Sequence, residues 1–358
     1  MRYLDEYRDK QLVDKLVRAI KHASAQKIRI MEVCGGHTLA IRKFGIHRLL
    51  PSNIELLSGP GCPVCVTDRI SIDRAVKLAR IQGTIITTYG DLIRIPGSAS
   101  SLNQERAQGA DIRIVYSTLD ALAIARDNPG KKVIFLGIGF EATTPSSAVA
   151  LWEASRQKIR NFYLLSMHKV MPPAMAALID QGVDIDGYIG PGHVTTVAGA
   201  DMYRDLVDKY RISVVVSGFE PVDLLQSIYM LVEMKNNGRY GTEIQYKRVV
   251  TAEGNVKAKE IVAGIFEPAT DSWRGLGPIQ ASGLKIRSAY RSFDANLNFD
   301  LRVDPVPEPG GCICGEVLRG LKRPDQCDLF ARVCTPANPV GACMVSGEGA
   351  CQAFFNYQ

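Results

Sequence analysis

No run of this sequence stays apolar long enough to cross a bilayer, and its opening, MRYLDEYRDKQLVDKLVRAI, is charged and helix-patterned. The expectation is a cytoplasmic protein with neither secretory signal nor membrane anchor. Aromatic residues make up only 7% of the chain, and a net charge of +6 is spread along it rather than gathered with them into a basic block. Nucleic-acid binding is therefore not expected. Phosphate-binding signatures are also missing. There is no Walker A lysine, and Gly137-Ile-Gly139 lacks the third glycine and the downstream acid of a dinucleotide fingerprint. What stays open is ATP or a small anion at a helix N-terminus. A radical-SAM enzyme is excluded because no C-x3-C-x-x-C occurs.

What is present is sulfur. The chain has nine cysteines in 358 residues, an odd count that forbids complete pairing. In a reducing cytosol, clustered thiols more often bind metal or do redox chemistry than form structural disulfides. Six of the nine lie between Cys312 and Cys351, on a Gly- and Pro-rich segment. Cys312, Cys327, Cys334 and Cys351 form a C-x14-C-x6-C-x16-C series, with Cys314 and Cys343 interleaved. Thiolates are the soft ligands that iron–sulfur clusters and zinc require. Inert buried cysteines would be scattered rather than gathered.

An apolar fraction of 46% with 22% charged residues is that of an ordinary globular protein. At roughly 150 residues per domain the length suits two or three domains. Residues 5–26 carry Leu12, Val13, Leu16, Val17 and Ile20 at helical spacing. A strand over 28–33 then breaks into Cys34-Gly35-Gly36-His37-Thr38. Strand, glycine turn and helix expose a residue at the carboxyl edge of a parallel sheet. There a helix N-terminus favours the Cys34 thiolate, with His37 one turn away as donor or base. The bland alternative is a packing cysteine and a surface histidine.

A strand over 54–58 opens into Gly59-Pro60-Gly61-Cys62-Pro63-Val64-Cys65. Cys-x-x-Cys suits a redox dithiol; zinc would need two further ligands, and none lie nearby. Further strands are expected over 83–88, 112–115, 162–166, 186–189 and 213–217, and KVIFLGIGFEATTP opens on an apolar strand that ends at a glycine turn. Glu141 follows the glycine turn at 137–139, His168 lies just past a strand, and His193 sits in Gly190-Pro191-Gly192-His193. An amphipathic helix covers 224–234, and a semi-rigid connector runs over 304–311.

The two halves rhyme. SGPGCPVC near residue 60 answers IGPGHVTT near 191, TTYGD at 87–91 answers VSGFE at 216–220, and EVCGGHT at 32–38 answers GIGFEATT at 137–144. The fold expected is α/β: two Rossmann-like parallel-sheet lobes related by a weak internal repeat, over 1–128 and 129–300, and a C-terminal cysteine-rich region over 301–358. Strand-end loops of both lobes would face a shared cleft.

Taken together, CGGHT (34–38), GPGCPVC (59–65), TYGDLIRIPGS (88–98), GFEATTP (139–145), GPGHV (190–194) and the terminal cysteine series with GACMVSGEGAC (341–351) resemble the hydrogenase maturation factor HypD family. The resemblance spans nearly the whole chain. It implies a redox-active metallocofactor assembly protein rather than a conventional turnover enzyme. It implies a [4Fe-4S] cluster on Cys312, Cys327, Cys334 and Cys351, with Cys314 and Cys343 as a redox pair beside it and Cys62 and Cys65 as another in the cleft. Cys34 would hold a mononuclear iron together with the partner HypC. On that iron the Fe(CN)2CO group of [NiFe]-hydrogenase is assembled, the cyanides arriving from HypE in a transient encounter. His37 would tune or protonate near the iron, and Glu141 and His193 would be cleft residues. Leu39 stands where some members carry histidine. Two other classes compete: a stand-alone [4Fe-4S] thiol–disulfide oxidoreductase resembling ferredoxin–thioredoxin reductase, and a zinc-stabilised binding module.

Overall fold

The computed structural model describes residues 5–304 and 310–357. Most of the expected connector at 304–311 thus lies outside the described residues. Among the described residues eleven strands form in chain order: β1 Ile28–Glu32, β2 Ile54–Ser58, β3 Thr84–Thr88, β4 Ile112–Ile114, β5 Lys132–Gly139, β6 Phe162–His168, β7 Gly187–Pro191, β8 Ser213–Ser217, β9 Gly241–Ile244, β10 Phe266–Trp273 and β11 Gly277–Ile286. The first nine make two parallel sheets, ordered β2-β1-β7-β8-β9 and β4-β3-β5-β6. β10 and β11 form an antiparallel hairpin.

The sheets do not follow the division expected at residue 128. Each draws strands from both sides of it: β1 and β2 join β7, β8 and β9, while β3 and β4 join β5 and β6. The two GPG turns that answer each other in sequence follow β2 and β7 of the same sheet, on either side of β1. Sheets of five and four strands do not superpose strand for strand. The glycine turns are alike because each ends a strand at the same edge, a local requirement that says nothing of sheet membership.

Nearly continuous apolar runs explain why both sheets are covered on two faces. Alternate side chains point to opposite faces of a strand. Thus Ile28 and Ile30 of β1 join a core with Ile189, Val215 and the helices Lys10–Ala23 and Pro221–Asn236. Met31 and Val33 join another. That second core also takes Ile86, Ile134 and Leu136 from the four-stranded sheet, with Cys314, Leu318, Cys343 and Val345 from the cysteine-rich segment. One apolar interior therefore runs between the sheets and under the C-terminal region. The β10–β11 hairpin, unforeseen in the sequence, packs Phe266 and Ile286 over the outer face of the four-stranded sheet with Phe135 and Leu164. Among the described residues no helix is long and apolar enough to cross a membrane.

Candidate functional site

In the five-stranded sheet, chain order runs outward from β1 in one direction and from β7 in the other. The crevice at the carboxyl ends of β1 and β7 is therefore a topological switch point, where open α/β sheets place ligands. Cys34 follows β1 there, and His193 stands at the start of the helix after β7. Cys34 Sγ lies 3.8 Å from His193 Nδ1. Cys34 is only 1% exposed, whereas His193 is exposed, so the histidine stands between the thiol and solvent.

The expected thiolate is not what this pocket favours. Cys34 caps the helix Gly35–Lys43, yet burial, with a smaller push from the Glu348 carboxylate, drives its thiol up to about 12. Desolvation outweighs the helix terminus here. A protein-only pocket thus keeps the thiol protonated, and a bound cation would have to displace the proton. His37 is not the partner of Cys34 either. It is fully buried, its Nε2 donates to Ser217 O at 3.3 Å, and burial lowers its pKa to about 3. Its ring lies against Phe219, centroids 4.7 Å apart, and Phe219 in turn lies 5.4 Å from the His193 ring. Phe219 follows β8, and its place between the two histidines was not evident in the sequence.

The GPG turn after β2 is pressed against Cys34. Gly35 N donates to Gly61 O at 3.0 Å, and a Cβ on Gly61 would stand 2.1 Å from Cys34 N. One residue on, Cys62 and Cys65 are joined as a disulfide across a single helical turn opened by Pro63. Cys65 Sγ lies 3.9 Å from Ala342 O. Next to Ala342, Cys343 Sγ is 2.8 Å from Cys314 Sγ. Three cysteine sites thus follow one another inward from Cys34.

Cys312, Cys314, Cys327, Cys334, Cys343 and Cys351 all line one pocket with Ile313, Leu329, Phe330 and Met344, its free space about 10 Å³. Gly341 makes the convergence possible, since a Cβ there would stand 2.7 Å from Cys312 Sγ. Among the described residues no three His, Cys, Asp or Glu groups are arranged to hold a single metal ion. Six soft sulfurs reaching one apolar pocket include more than the four thiolates that an iron–sulfur cluster takes, so the donor chemistry fits such a group. Within the pocket, hydrogen bonds from Cys312 and Cys343 pull the Cys314 thiol well below its usual range, while hydrogen bonds with Cys314 and Cys351 push the Cys343 thiol up.

The four-stranded sheet has its own switch point, between β3 and β5. Asp91, in the turn after β3, accepts from Ser346 Oγ at 2.8 Å, and Arg94 Nη2 donates to Val345 O at 2.8 Å. Two residues further, Glu348 O is 2.5 Å from where a Cβ of Gly35 would stand. The segment 345–348 therefore bridges the two crevices. Asp91 and Glu348 belong to TYGD and GEGAC, motifs visible in the sequence without a role for either acid. Glu141 follows β5, but its Oε1 accepts from Met171 N at 2.9 Å, so it holds a helix start rather than touching Cys34. Its Oε2 is buried without a partner among the described residues, and burial raises its pKa to about 7.

A family model described as "HypD: Hydrogenase formation hypA family" matches residues 11–358. The chain is 46% identical to hydrogenase maturation factor HypD2 of Bradyrhizobium diazoefficiens over 368 residues, covering 100% of this chain and 97% of that one. It is 45% identical to hydrogenase maturation factor HypD of Cupriavidus necator over 369 residues, with coverage of 100% and 97%. Against the Escherichia coli HypD it is 43% identical over 367 residues, with coverage of 100% and 98%. With its strand-end motifs at two crevices that the segment 345–348 bridges and its tail cysteines on one pocket, this chain belongs to the HypD family of hydrogenase maturation factors.

Proposed function

We propose that this protein is a cytoplasmic scaffold that, with HypC, binds iron and assembles on it the Fe(CN)2CO group of [NiFe]-hydrogenase, the cyanides coming from HypE. The observation that carries the reading is the chain of contacts from Cys34 through Gly61 to the Cys62–Cys65 disulfide, and from Cys65 Sγ to Ala342 O beside the close Cys343/Cys314 pair. The iron is the cargo. Cys34 would bind it by giving up its thiol proton, for which His193 Nδ1 at 3.8 Å is the nearest ring nitrogen. Low-spin iron carrying diatomic ligands is served by a soft donor of this kind. Burial of Cys34 keeps water off that bond, and HypC would close the crevice from the exposed side.

The cysteine pairs have a defined exchange chemistry. One sulfur of the Cys314/Cys343 pair attacks the Cys62–Cys65 bond, giving a mixed disulfide and releasing one thiolate. The second sulfur of the pair resolves it, so that Cys62 and Cys65 end reduced and Cys314–Cys343 ends as a disulfide, two electrons having moved toward Cys34. A [4Fe-4S] cluster held by Cys312, Cys327, Cys334 and Cys351 would relay, one at a time, the two electrons from an external one-electron donor that with two protons return the Cys314–Cys343 disulfide to thiols. Cys62 and Cys65 then present two thiols beside the iron site.

The test is anaerobic co-purification with HypC, followed by iron quantification and infrared spectroscopy of bound cyanide and CO. Bands from both ligands on the complex are expected. A colourless protein with neither bands nor acid-labile sulfide overturns the proposal. Disulfide-substrate reduction by the isolated chain with no need of HypC would instead favour the ferredoxin–thioredoxin-reductase-like reading.

A further inference from the structure

Behind the Cys34 turn lies a cavity of about 940 Å³, between the β1–helix unit and residues 320–331 of the cysteine-rich segment. It is separate from both the crevice and the cysteine pocket. Glu32, on β1, stands in its wall, 3% exposed. Glu32 Oε1 accepts from Ser58 Oγ at 2.9 Å and Thr38 Oγ1 at 3.3 Å. Its Oε2 is buried and has no partner among the described residues. An orphaned carboxyl oxygen is costly, and one beside a cavity calls for a donor brought from outside.

The opposite need stands on the same wall. Arg42 spreads its guanidinium over the Phe354 ring, 3.2 Å from the centroid. Arg48 stands exposed at the rim. Among the described residues neither guanidinium is within salt-bridge distance of a carboxylate, whereas the neighbouring Arg323 is tied to Asp325 at 2.8 Å and Lys322 to Glu316 at 3.0 Å. A rigid fork of donors without an acceptor suits a carboxylate or phosphate group.

We propose that this cavity is a binding site for a small organic anion carrying its own hydroxyl or amino donor, the anionic group meeting Arg42 and Arg48 and the donor meeting Glu32 Oε2. A purely anionic ligand would leave Glu32 repelled, and a cation would face the two arginines, so both functions on one molecule are required. The position couples the site to the chemistry. Glu32 lies two residues before Cys34 on the same strand, Arg42 is on the helix that Cys34 caps, and the far wall belongs to the segment between Cys312 and Cys334. Nothing in the assembly reading requires such a ligand, and the proposal stands if that reading fails.

Calorimetric titration of the full chain with glycerol phosphate, glycerate and propionate tests it. Saturable binding of glycerol phosphate or glycerate is expected, with the one that binds identifying the anionic group as phosphate or carboxylate, and propionate, which has no donor, weaker. Arg48→Gln, at an exposed side chain without a partner, should fold as the parent does and weaken binding by about tenfold, the loss of one charge-assisted hydrogen bond. Glu32→Gln should narrow the gap between glycerate and propionate. If neither hydroxylated anion saturates the parent protein, or if binding is unchanged in Arg48→Gln and in Arg42→Gln, the assignment is overturned.

Discussion

Gly61 lies flat against Cys34, so close that a Cβ on the glycine would stand 2.1 Å from the cysteine's backbone nitrogen. The contact is backbone to backbone and cannot be relieved by turning a side chain. It seats the Cys62–Cys65 turn after β2 against the thiol after β1. Gly61→Ala should therefore destabilise the protein by about 1–3 kcal/mol, the usual cost of overpacking, and weaken iron retention in the HypC complex. Urea unfolding together with iron quantification checks both, and a variant of parental stability would show that the turn is free to move.

Cys34→Ala should abolish iron retention in that complex while leaving the visible absorption of the tail cluster intact. The two sites share no cysteine, since Cys34 is not among the residues lining the cysteine pocket. Loss of both signals together would mean that they are not separate.

Glu141 sets a dependence on the alkaline side. Its pKa rises from 4.5 to about 7 on folding because the carboxyl is enclosed. A raised folded value means that the folded state prefers the protonated form, so stability is full below pH 4.5 and is lost as pH rises through 7. At 1.36 kcal/mol per unit the ceiling is about 3 kcal/mol. Glu141→Gln keeps the acceptor for Met171 N and removes the titration. Glu32 and the two buried histidines titrate alike in both proteins, so the difference in urea midpoint between variant and parent should open in the variant's favour as pH rises from 4.5 to 8; parallel curves would refute the assignment.

His168 works in the opposite direction. It is 1% exposed, its Nε2 lies 2.9 Å from Ser147 Oγ, and desolvation lowers its pKa to about 3. A depressed folded value means that the unfolded chain takes up the proton first, so stability is full above pH 6.5 and declines as pH falls toward 3. Between pH 7 and pH 5 the parent should lose about 2 kcal/mol that His168→Gln does not lose. Thermal unfolding at the two values decides it, the contribution of His37 being common to both proteins.

Much of the local structure was legible. β2 and β8 fall at the residues expected, and β1, β3 and β4 within a residue at an end, because buried parallel strands read as short apolar runs closed by glycine turns, whereas β5 runs on through Gly137-Ile138-Gly139, where a turn was expected, because those residues pair with β6. The β10–β11 hairpin was not, since residues 266–286 mix Glu267, Asp271, Lys285 and small residues with few apolar ones, and its burial comes from the sheet it covers. The histidine roles also escaped. His37 is nearer to Cys34 in sequence, but helix geometry turns it toward Ser217 and Phe219, and the strand order brings His193 from 159 residues away to the thiol.

Residue chemistry alone determined where the soft sulfur stands: in three groups along the chain, at Cys34, at Cys62 and Cys65, and over 312–351, each at a turn or loop. Residue chemistry did not determine which turns meet. Parallel pairing is non-local, so nothing within β1 states that its neighbours are β2 and β7. That choice was made by two sheets sharing one apolar interior, and it placed Cys34, the disulfide and the tail cysteines in a single file.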